Sequence, residues 1–393
     1  MHTDEILPYG RQTIDEADVS SVTEMLTSPF LTTGPKVDAF EDRLCQITGA
    51  RYAIACSNGT TALHLACLAL GVKEGDLGVT SPISFLASAN CIEYCGGRVD
   101  FVDIDSTTIC MSPDQLNRFC RDVAVPKVVI PVSFAGIPAD LPAIHKLARK
   151  FGFQIIEDAA HALGSEYTHD GEIYSSGSCT HSDLAIFSFH PVKTITSGEG
   201  GAVLTNDTRL AEKLKQLRNH GMKRASKSED TGFQGEWYYE MADMGYNYRL
   251  CDIQAALGLS QLEKLSGFRE RRRQIVKMYN RSFKAVSSHI ITPPDILAES
   301  ACPHLYPVQF KGGGAIRLKI YIALKAENIF TQVHYIPIYW QPYYVKKYGY
   351  PKGKCRNAEA YYSRCLSLPL FPAMADGDVA RVVDRVTTLV RDA

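Results

Sequence analysis

The chain has 393 residues and a formal net charge of −1, with 45% hydrophobic and 22% charged residues. This length can bury a large core, and the composition is ordinary for a globular protein. The small net charge excludes a global field that would attract nucleic acid or an anionic membrane. The N-terminus lacks a basic stretch followed by an apolar one, and no apolar run could span a bilayer. We therefore expect a cytoplasmic protein that does not bind membranes or nucleic acid.

Short apolar segments alternate with helical patterns through the first half of the chain. Thr13 and Glu16 form a capping-box signature for a first helix, and Val37, Phe40 and Leu44 have the spacing of a second. Strands are predicted over residues 52–56, 99–104, 127–132, 153–157, 184–189 and 202–204. Helices are predicted between most of them, for example over 62–70, 141–150 and 208–217. This alternation indicates a mostly parallel sheet with helices on both faces.

The second half begins with a helical pattern over about 252–283, which is predicted to break near Ser266 and Gly267. Before it, the polar residues 223–236 predict a surface loop. After it, the segments 304–310, 315–326 and 331–336 indicate a smaller α+β lobe. We place the division between a large domain of residues 1–265 and a small C-terminal domain of residues 266–393.

Two further features of composition favour structural interpretations. The basic run Arg269, Arg271, Arg272 and Arg273 could be a nucleic-acid patch, but apolar neighbours in the same helical stretch favour a solvated helix face. The twelve cysteines include no Cys-x-x-Cys pair, so neither a metal site nor a disulfide framework is indicated.

Polar residues follow three of the predicted strands, where open parallel sheets bind their ligands. After the first strand come Ser57, Asn58, Gly59 and Thr60, followed by an apolar helix. Free N–H groups at a helix N-terminus favour a phosphate, although simple capping by Ser57 or Asn58 explains the same residues.

Asp158 and Lys193 follow two other predicted strands. A buried aspartate needs a partner for its charge, and a protonated pyridine nitrogen is one candidate beside metal binding and helix capping. A lysine in a desolvated pocket loses its proton more readily and forms Schiff bases, whereas a lone surface lysine is the alternative. Together with the phosphate-type loop, the two residues indicate an enzyme that uses pyridoxal 5′-phosphate (PLP).

These residues resemble the DegT/StrS-type nucleotide-sugar aminotransferases over about residues 9–372. The most specific block is SFHPVKTITSGEGG at 188–201, followed by GYNYR at 245–249 and DIQAA at 252–256. The resemblance implies the PLP fold type I, an α/β fold. Its large domain has a mostly parallel seven-stranded sheet sandwiched by helices, and a smaller α+β domain follows at the C-terminus.

The resemblance also implies which residues hold the cofactor. Lys193 would carry PLP, which becomes pyridoxamine phosphate during the reaction, and Asp158 would pair with the pyridine nitrogen. Phe85 would stack on the ring and His161 would lie near the ring hydroxyl, where many relatives have Trp or Tyr and Gln respectively. Core packing is the alternative for Phe85.

The cofactor phosphate would be held by Gly59, Thr60 and Ser188 of one chain. By the same resemblance, Asn247 would reach this phosphate from the second subunit of a homodimer. The active sites of such a homodimer are shared.

Within this family, the likeness is greatest to the aminotransferases of pseudaminic acid synthesis. The segments behind it are AHALGSEY at 160–167, PHLYP at 303–307 and QVHYIPIY at 332–339. The implied reaction moves an amino group from L-glutamate to C4 of UDP-2-acetamido-2,6-dideoxy-β-L-arabino-hexos-4-ulose. The implied substrate contacts are Tyr9, Pro29, Phe30, Leu31, Thr32, Gln332, Val333, His334 and Tyr335. The alternation of polar and apolar residues over 332–335 equally predicts a half-buried strand.

Three alternatives stay open at this point. A C4 or C3 aminotransferase for another nucleotide-linked keto sugar would use the same residues. PLP-dependent sugar dehydration occurs in relatives with histidine in place of the lysine, so Lys193 argues against it. A non-catalytic binding module would be expected to have lost Lys193 or Asp158.

Overall fold

The computed structural model describes residues 6–224 and 237–392. Its helices in chain order are α1 Glu16–Leu26, α2 Pro35–Thr48, α3 Gly59–Ala69, α4 Ala87–Tyr94, α5 Pro113–Asp122, α6 Leu141–Phe151, α7 Thr208–Arg218, α8 Asp252–Glu263, α9 Leu265–Phe283, α10 Ile296–Glu299, α11 Gly313–Ala326, α12 Pro342–Tyr348, α13 Arg356–Tyr362 and α14 Asp376–Arg391. Its strands are β1 Tyr52–Cys56, β2 Leu77–Thr80, β3 Arg98–Phe101, β4 Val128–Ile130, β5 Gln154–Asp158, β6 Glu166–His169, β7 Glu172–Ser175, β8 Leu184–Ser188, β9 Gly201–Thr205, β10 Met222–Arg224, β11 Tyr239–Met241, β12 Ile290–Ile291, β13 Tyr306–Phe310 and β14 Cys365–Leu368.

Seven strands form the main sheet in the order β1-β9-β8-β5-β4-β2-β3. Strand β9 is antiparallel to both of its neighbours, and the other pairs are parallel. The predicted mostly parallel sheet is confirmed, and all six predicted strands belong to it. The resemblance implied a seventh strand, β2, but the sequence pattern did not predict its position, because it has only four residues and contains Gly78. A side chain at Gly78 would place its Cβ 2.5 Å from Ile92, so this glycine allows α4 to pack closely on the strand.

Both faces of the sheet are covered by helices, as the alternation predicted. On one face, Ile54 and Ile186 join a core that includes Leu63 of α3. On the other face, their neighbours Ala55 and Phe187 join a second core with residues of α2 and α8. Successive side chains of a strand point to opposite faces, so both faces of each central strand are apolar.

The C-terminal part of the chain contains an antiparallel sheet in the order β12-β13-β14; α11 packs on this sheet, and α14 packs on α11. The segment 331–336, predicted as a strand, is irregular and makes only one isolated bridge, between Gln332 and Ser367. The N-terminal segment also reaches this region, because Leu7 exchanges backbone hydrogen bonds with Asn328 and Phe330. The division at residue 265 stays a prediction.

Several local predictions need correction. The cap of α1 is Asp15, which forms a capping box with Asp18, rather than Thr13 with Glu16. The long helical region breaks at Lys264, two residues before the predicted position. The predicted surface loop at 223–236 lies outside the described residues, apart from its first two positions in β10.

The arginine run is not a solvated helix face. Arg272 is only 1% exposed and donates to the backbone carbonyls of Pro303, His304 and Leu370. The other three arginines are half-buried, and Arg269 donates to the carbonyl of Gly164. These contacts tie α9 to the surrounding backbone. Among the described residues, no helix is both long and apolar enough to cross a membrane.

Candidate active site

A cavity of about 630 Å³ opens at the carboxyl ends of β1, β5 and β8, facing the segment 332–336. The end of each strand contributes to it, as expected for an open parallel sheet. The cavity brings together twelve of the predicted site residues: Tyr9, Gly59, Thr60, Phe85, Asp158, His161, Ser188, Lys193, Gln332, Val333, His334 and Tyr335.

One end of the cavity is formed by the N-terminus of α3 and the end of β8. Asn58 caps the helix by accepting from the N–H of Thr61 over 2.9 Å. The N–H groups of Gly59 and Thr60 have no acceptor among the described residues. A side chain at Gly59 would place its Cβ 2.8 Å from that of Ser188, so the helix end and this hydroxyl are in close contact. The cap satisfies the N–H of Thr61 and therefore leaves the N–H groups of Gly59 and Thr60 available to an anion.

Asp158 is buried at the end of β5 and is held by two hydrogen bonds. Ser88 donates to Oδ2 over 2.6 Å, and the N–H of Ala160 donates to Oδ1 over 3.2 Å. Ser88 is hydrogen-bonded in turn to Ser84, also over 2.6 Å. Burial raises the pKa of Asp158, and the hydrogen bond from Ser88 partly opposes this rise. A cationic partner in the cavity would compensate the buried carboxylate.

Lys193 lies in the turn after β8, and its backbone N–H donates to the carbonyl of His190. Burial lowers the pKa of Lys193 to about 8, against the opposing attraction of Asp158. Among the residues that the structure describes, no ion pair joins the two groups, although both line the same cavity. A lysine of this kind is partly unprotonated near neutral pH and can act as a nucleophile.

Several aromatic residues also line the cavity. His161 Nε2 lies 3.4 Å from the hydroxyl of Tyr335, and the ring of Tyr9 lies 5.3 Å from that of His334. His334 Nδ1 is hydrogen-bonded to Ser367, and burial lowers the pKa of this imidazole to about 3. Phe85 has 58% of its surface exposed while lining the cavity, so core packing does not account for it.

Five predicted site residues lie outside this cavity: Asn247, Pro29, Phe30, Leu31 and Thr32. All five are exposed on the surface. The segment 29–32 contacts the chain a few residues after Asn247, because Thr32 forms a bridge with Cys251 and the N–H of Asp252 donates to the carbonyl of Leu31. Arg249, which could hold a donor carboxylate, does not line the cavity and donates to Asn219 instead.

Other residues of the cavity were not predicted, among them Ser84, Ser88, His190, Glu199 and Gln341. No clear sequence signal existed for the two serines, because Ser84 precedes α4 and only Ser88 lies on this helix. None existed for Gln341, which reaches the cavity from a distant part of the chain.

Comparison with known proteins places these features in context. The family described as DegT/DnrJ/EryC1/StrS aminotransferases matches residues 12–387. The spore coat polysaccharide biosynthesis protein SpsC of Bacillus subtilis is 39% identical over 98% of both chains. The UDP-4-amino-4,6-dideoxy-N-acetyl-β-L-altrosamine transaminase of Campylobacter jejuni is 35% identical, again over 98% of both.

Solved structures agree with these matches. Helicobacter pylori PseC, an aminotransferase of pseudaminic acid biosynthesis, superposes with a TM-score of 0.90 at 30% identity, covering 99% of this chain and 100% of that one. A sugar aminotransferase of Streptococcus pneumoniae in its PLP form has a TM-score of 0.87 at 27% identity, covering 99% of each chain. The same protein has also been solved with pyridoxamine phosphate.

Proposed function

Because this chain belongs to the DegT/DnrJ/EryC1/StrS aminotransferase family, we propose that it aminates C4 of a UDP-linked 4-keto-6-deoxy-N-acetylhexosamine. The specific acceptor would be UDP-2-acetamido-2,6-dideoxy-β-L-arabino-hexos-4-ulose, with L-glutamate as the amino donor. The observation that carries the proposal is that Lys193, Asp158 and the N-terminus of α3 at Gly59 line one cavity. The likeness to the Campylobacter transaminase supports the choice of acceptor.

The protein is a PLP-dependent sugar aminotransferase, and its cavity fits this cofactor. Two backbone N–H groups at the start of α3 and the hydroxyl of Ser188 suit a phosphate. At the other end, the buried carboxylate of Asp158 suits a protonated pyridine nitrogen. When bound, the cofactor stores the amino group and stabilises negative charge that develops on carbon.

Within this arrangement, Lys193 would hold the cofactor covalently and then act as the general acid and base. Its pKa of about 8 allows the amine both to accept and to release a proton near neutral pH. Tethering places this amine beside the reacting carbons without a further cost in entropy. Asp158, oriented by Ser88, would keep the ring nitrogen protonated.

Phe85 would cover one face of the cofactor ring, and His161 would lie near the ring hydroxyl. The substrate would be contacted by Tyr9 and by the segment from Gln332 to Tyr335, which also lines the cavity. The neutral imidazole of His334 is suited to hydrogen bonding with uncharged hydroxyl or carbonyl groups of a sugar.

We further propose a homodimer with shared active sites. Asn247 and the segment 29–32 are exposed on the surface and do not line the cavity of their own chain, so they can serve the cavity of a second copy. Phe30 and Leu31 are 53% and 45% exposed, which favours their burial against another subunit.

Mixing two inactive variants would test this sharing. Lys193→Ala and Asn247→Ala, refolded or exchanged together, should regain activity, because a mixed dimer holds one site with both native residues. Activity no higher than that of the separate variants would contradict a shared site.

The acceptor is tested by assaying the purified protein against a panel of UDP-linked 4-keto and 3-keto sugars, with NMR of each product. We expect amination at C4 of the L-arabino 4-ketose. The second candidate function is a C4 or C3 aminotransferase for another nucleotide-linked keto sugar. It is supported because the chain is about as identical to the spore coat protein as to the Campylobacter transaminase. Preferential turnover of a different keto sugar would select it.

A further inference from the structure

Tyr335 and His161 are hydrogen-bonded to each other, and a backbone N–H group determines which of the two side chains is the donor. The N–H of Ala135 donates to His161 Nδ1 over 3.4 Å, so Nδ1 carries no proton. Burial lowers the pKa of His161 well below its usual value, so the ring is neutral and its one proton is on Nε2. The imidazole therefore donates from Nε2, and the oxygen of Tyr335 accepts.

The turn that carries Ala135 is rigidly placed. Ala135 has a φ of 58°, in the left-handed region, and its carbonyl accepts from the N–H of His304 over 2.8 Å. At Gly136, a Cβ would lie 2.2 Å from the carbonyl oxygen of Cys302. Ser165 bridges the same two residues, donating to Gly136 and accepting from the N–H of Cys302, each over 2.7 Å. The N–H that faces His161 consequently has a fixed direction.

The proton of the Tyr335 hydroxyl has no acceptor among the residues that the structure describes. Because its oxygen already accepts from His161, this proton points away from the imidazole. Tyr335 lines the cavity together with Lys193. Burial raises the pKa of Tyr335, so the hydroxyl stays protonated. The result is a protonated O–H donor on a residue that lines the cavity.

We propose that Tyr335 is a catalytic residue that gives a proton to the carbonyl oxygen of the reactant, with His161 as its positioning residue. This inference rests on the proposed aminotransferase function. When a C=O bond becomes a C=N bond, water leaves, so the oxygen gains two protons and the amine nitrogen loses two. Tyr335 supplies one of these protons and recovers one from the nitrogen. The Nε2–H of His161 stabilises the transient charge on the tyrosine oxygen.

The same hydroxyl acts in reverse in the reaction of the amino donor, where water adds and a keto acid is released. We expect Tyr335→Phe to lower the single-turnover rate with L-glutamate about 100-fold, the scale of a lost general acid. KM should change little, because the interaction is strongest in the transition state. This measurement needs no sugar, so a wrong acceptor assignment leaves it intact.

Matched variants separate catalysis from structure. Tyr361→Phe removes another buried tyrosine hydroxyl from a ring that also packs on Phe134, and it should keep the full rate. His161→Gln keeps a side-chain donor and should lose less activity than His161→Leu. Tyr335→Phe should leave the pH dependence of the visible absorbance of bound PLP unchanged.

Two results would overturn the proposal. A Tyr335→Phe protein with the wild-type single-turnover rate would show that no proton comes from this hydroxyl. The absorbance of bound PLP changes with pH, and Tyr335→Phe could shift the midpoint of this change relative to the wild-type protein. Such a shift would mean that the hydroxyl binds the cofactor ring oxygen instead.

Discussion

At the scale of residues, desolvation sets the chemistry of the cavity. Burial lowers the pKa of Lys193 to about 8 and raises that of Asp158, so each group becomes easier to neutralise. The two do not form a direct ion pair, and space is left between them for a bound group. A cation between the lysine and the carboxylate would stabilise the buried charge of Asp158.

The pKa of Lys193 predicts how the apoprotein captures PLP. Only the neutral amine is a nucleophile, so the rate of PLP capture should rise with pH and level off above about 8. Stopped-flow recording of the visible absorbance over a pH series measures this rate. A rate that keeps rising to pH values near the usual pKa of lysine would mean that the amine is not desolvated.

Asp158→Asn should lower turnover about 100-fold or more while weakening PLP binding much less, because the charge acts mainly in the transition state. Steady-state kinetics and a PLP titration of the same preparation give the two numbers. Glu157→Gln is a matched control, since Glu157 is also buried on β5 but accepts from Gly177 rather than facing the cavity. If Asp158→Asn lowers turnover and PLP affinity equally, Asp158 mainly serves to bind the cofactor.

Part of this chemistry could be predicted from the sequence. Lys193, Asp158 and Gly59 each follow a strand, and parallel strands end at one edge of a sheet, so their meeting is predictable. The bond from Ser88 to Asp158 joins residues 70 positions apart, and Tyr335 meets His161 across 174 positions. Local spacing carries no information on such contacts.

At the scale of elements, the N-terminus of α3 is the part most sensitive to volume. Gly59→Ala would push a Cβ to within 2.8 Å of Ser188, so the helix end must move away from Ser188. We expect the affinity for PLP to fall at least about tenfold, as for a lost charge-assisted hydrogen bond. Gly267→Ala in α9 is the control, because its Cβ would meet nothing within 4 Å, and PLP affinity should stay unchanged.

An equilibrium titration of the apoproteins with PLP decides this prediction. Wild-type affinity in Gly59→Ala would show that the phosphate is held elsewhere.

The two elements that the sequence pattern mispredicted, β2 and the segment 331–336, also have local causes. Strand β2 is short and glycine-containing, and the segment 331–336 has the alternation of a strand but only one bridge, because it forms a wall of the cavity.

At the scale of the whole molecule, Arg272 holds α9 to the C-terminal part of the chain. Its guanidinium is buried and donates, within the described part of the chain, to backbone carbonyls of residues 31, 32 and 98 positions away. The sequence pattern identified the basic run but not its burial, since it contains no information on which carbonyls surround α9. The prediction of a solvated helix face was wrong for this reason.

Arg272→Met should lower the free energy of unfolding by about 2 kcal/mol. Buried carbonyls lose their hydrogen-bond donor, and this loss exceeds the gain from no longer burying a charge. Urea unfolding monitored by circular dichroism gives the free energy of unfolding. Arg271→Met should cost less than about 1 kcal/mol, because Arg271 is only half-buried and its partners are the exposed Asp376 and one backbone carbonyl, that of Met374. A larger loss in the Arg271 variant would contradict this account of α9.

The covalent attachment of PLP to Lys193 can be tested without knowing any substrate. The PLP-loaded protein is reduced with borohydride, digested and mapped by mass spectrometry. We predict one modified peptide, with the phosphopyridoxyl group on Lys193, and none in Lys193→Ala. Modification of another lysine, with Lys193 unlabelled, would contradict the assignment of this cavity as the active site.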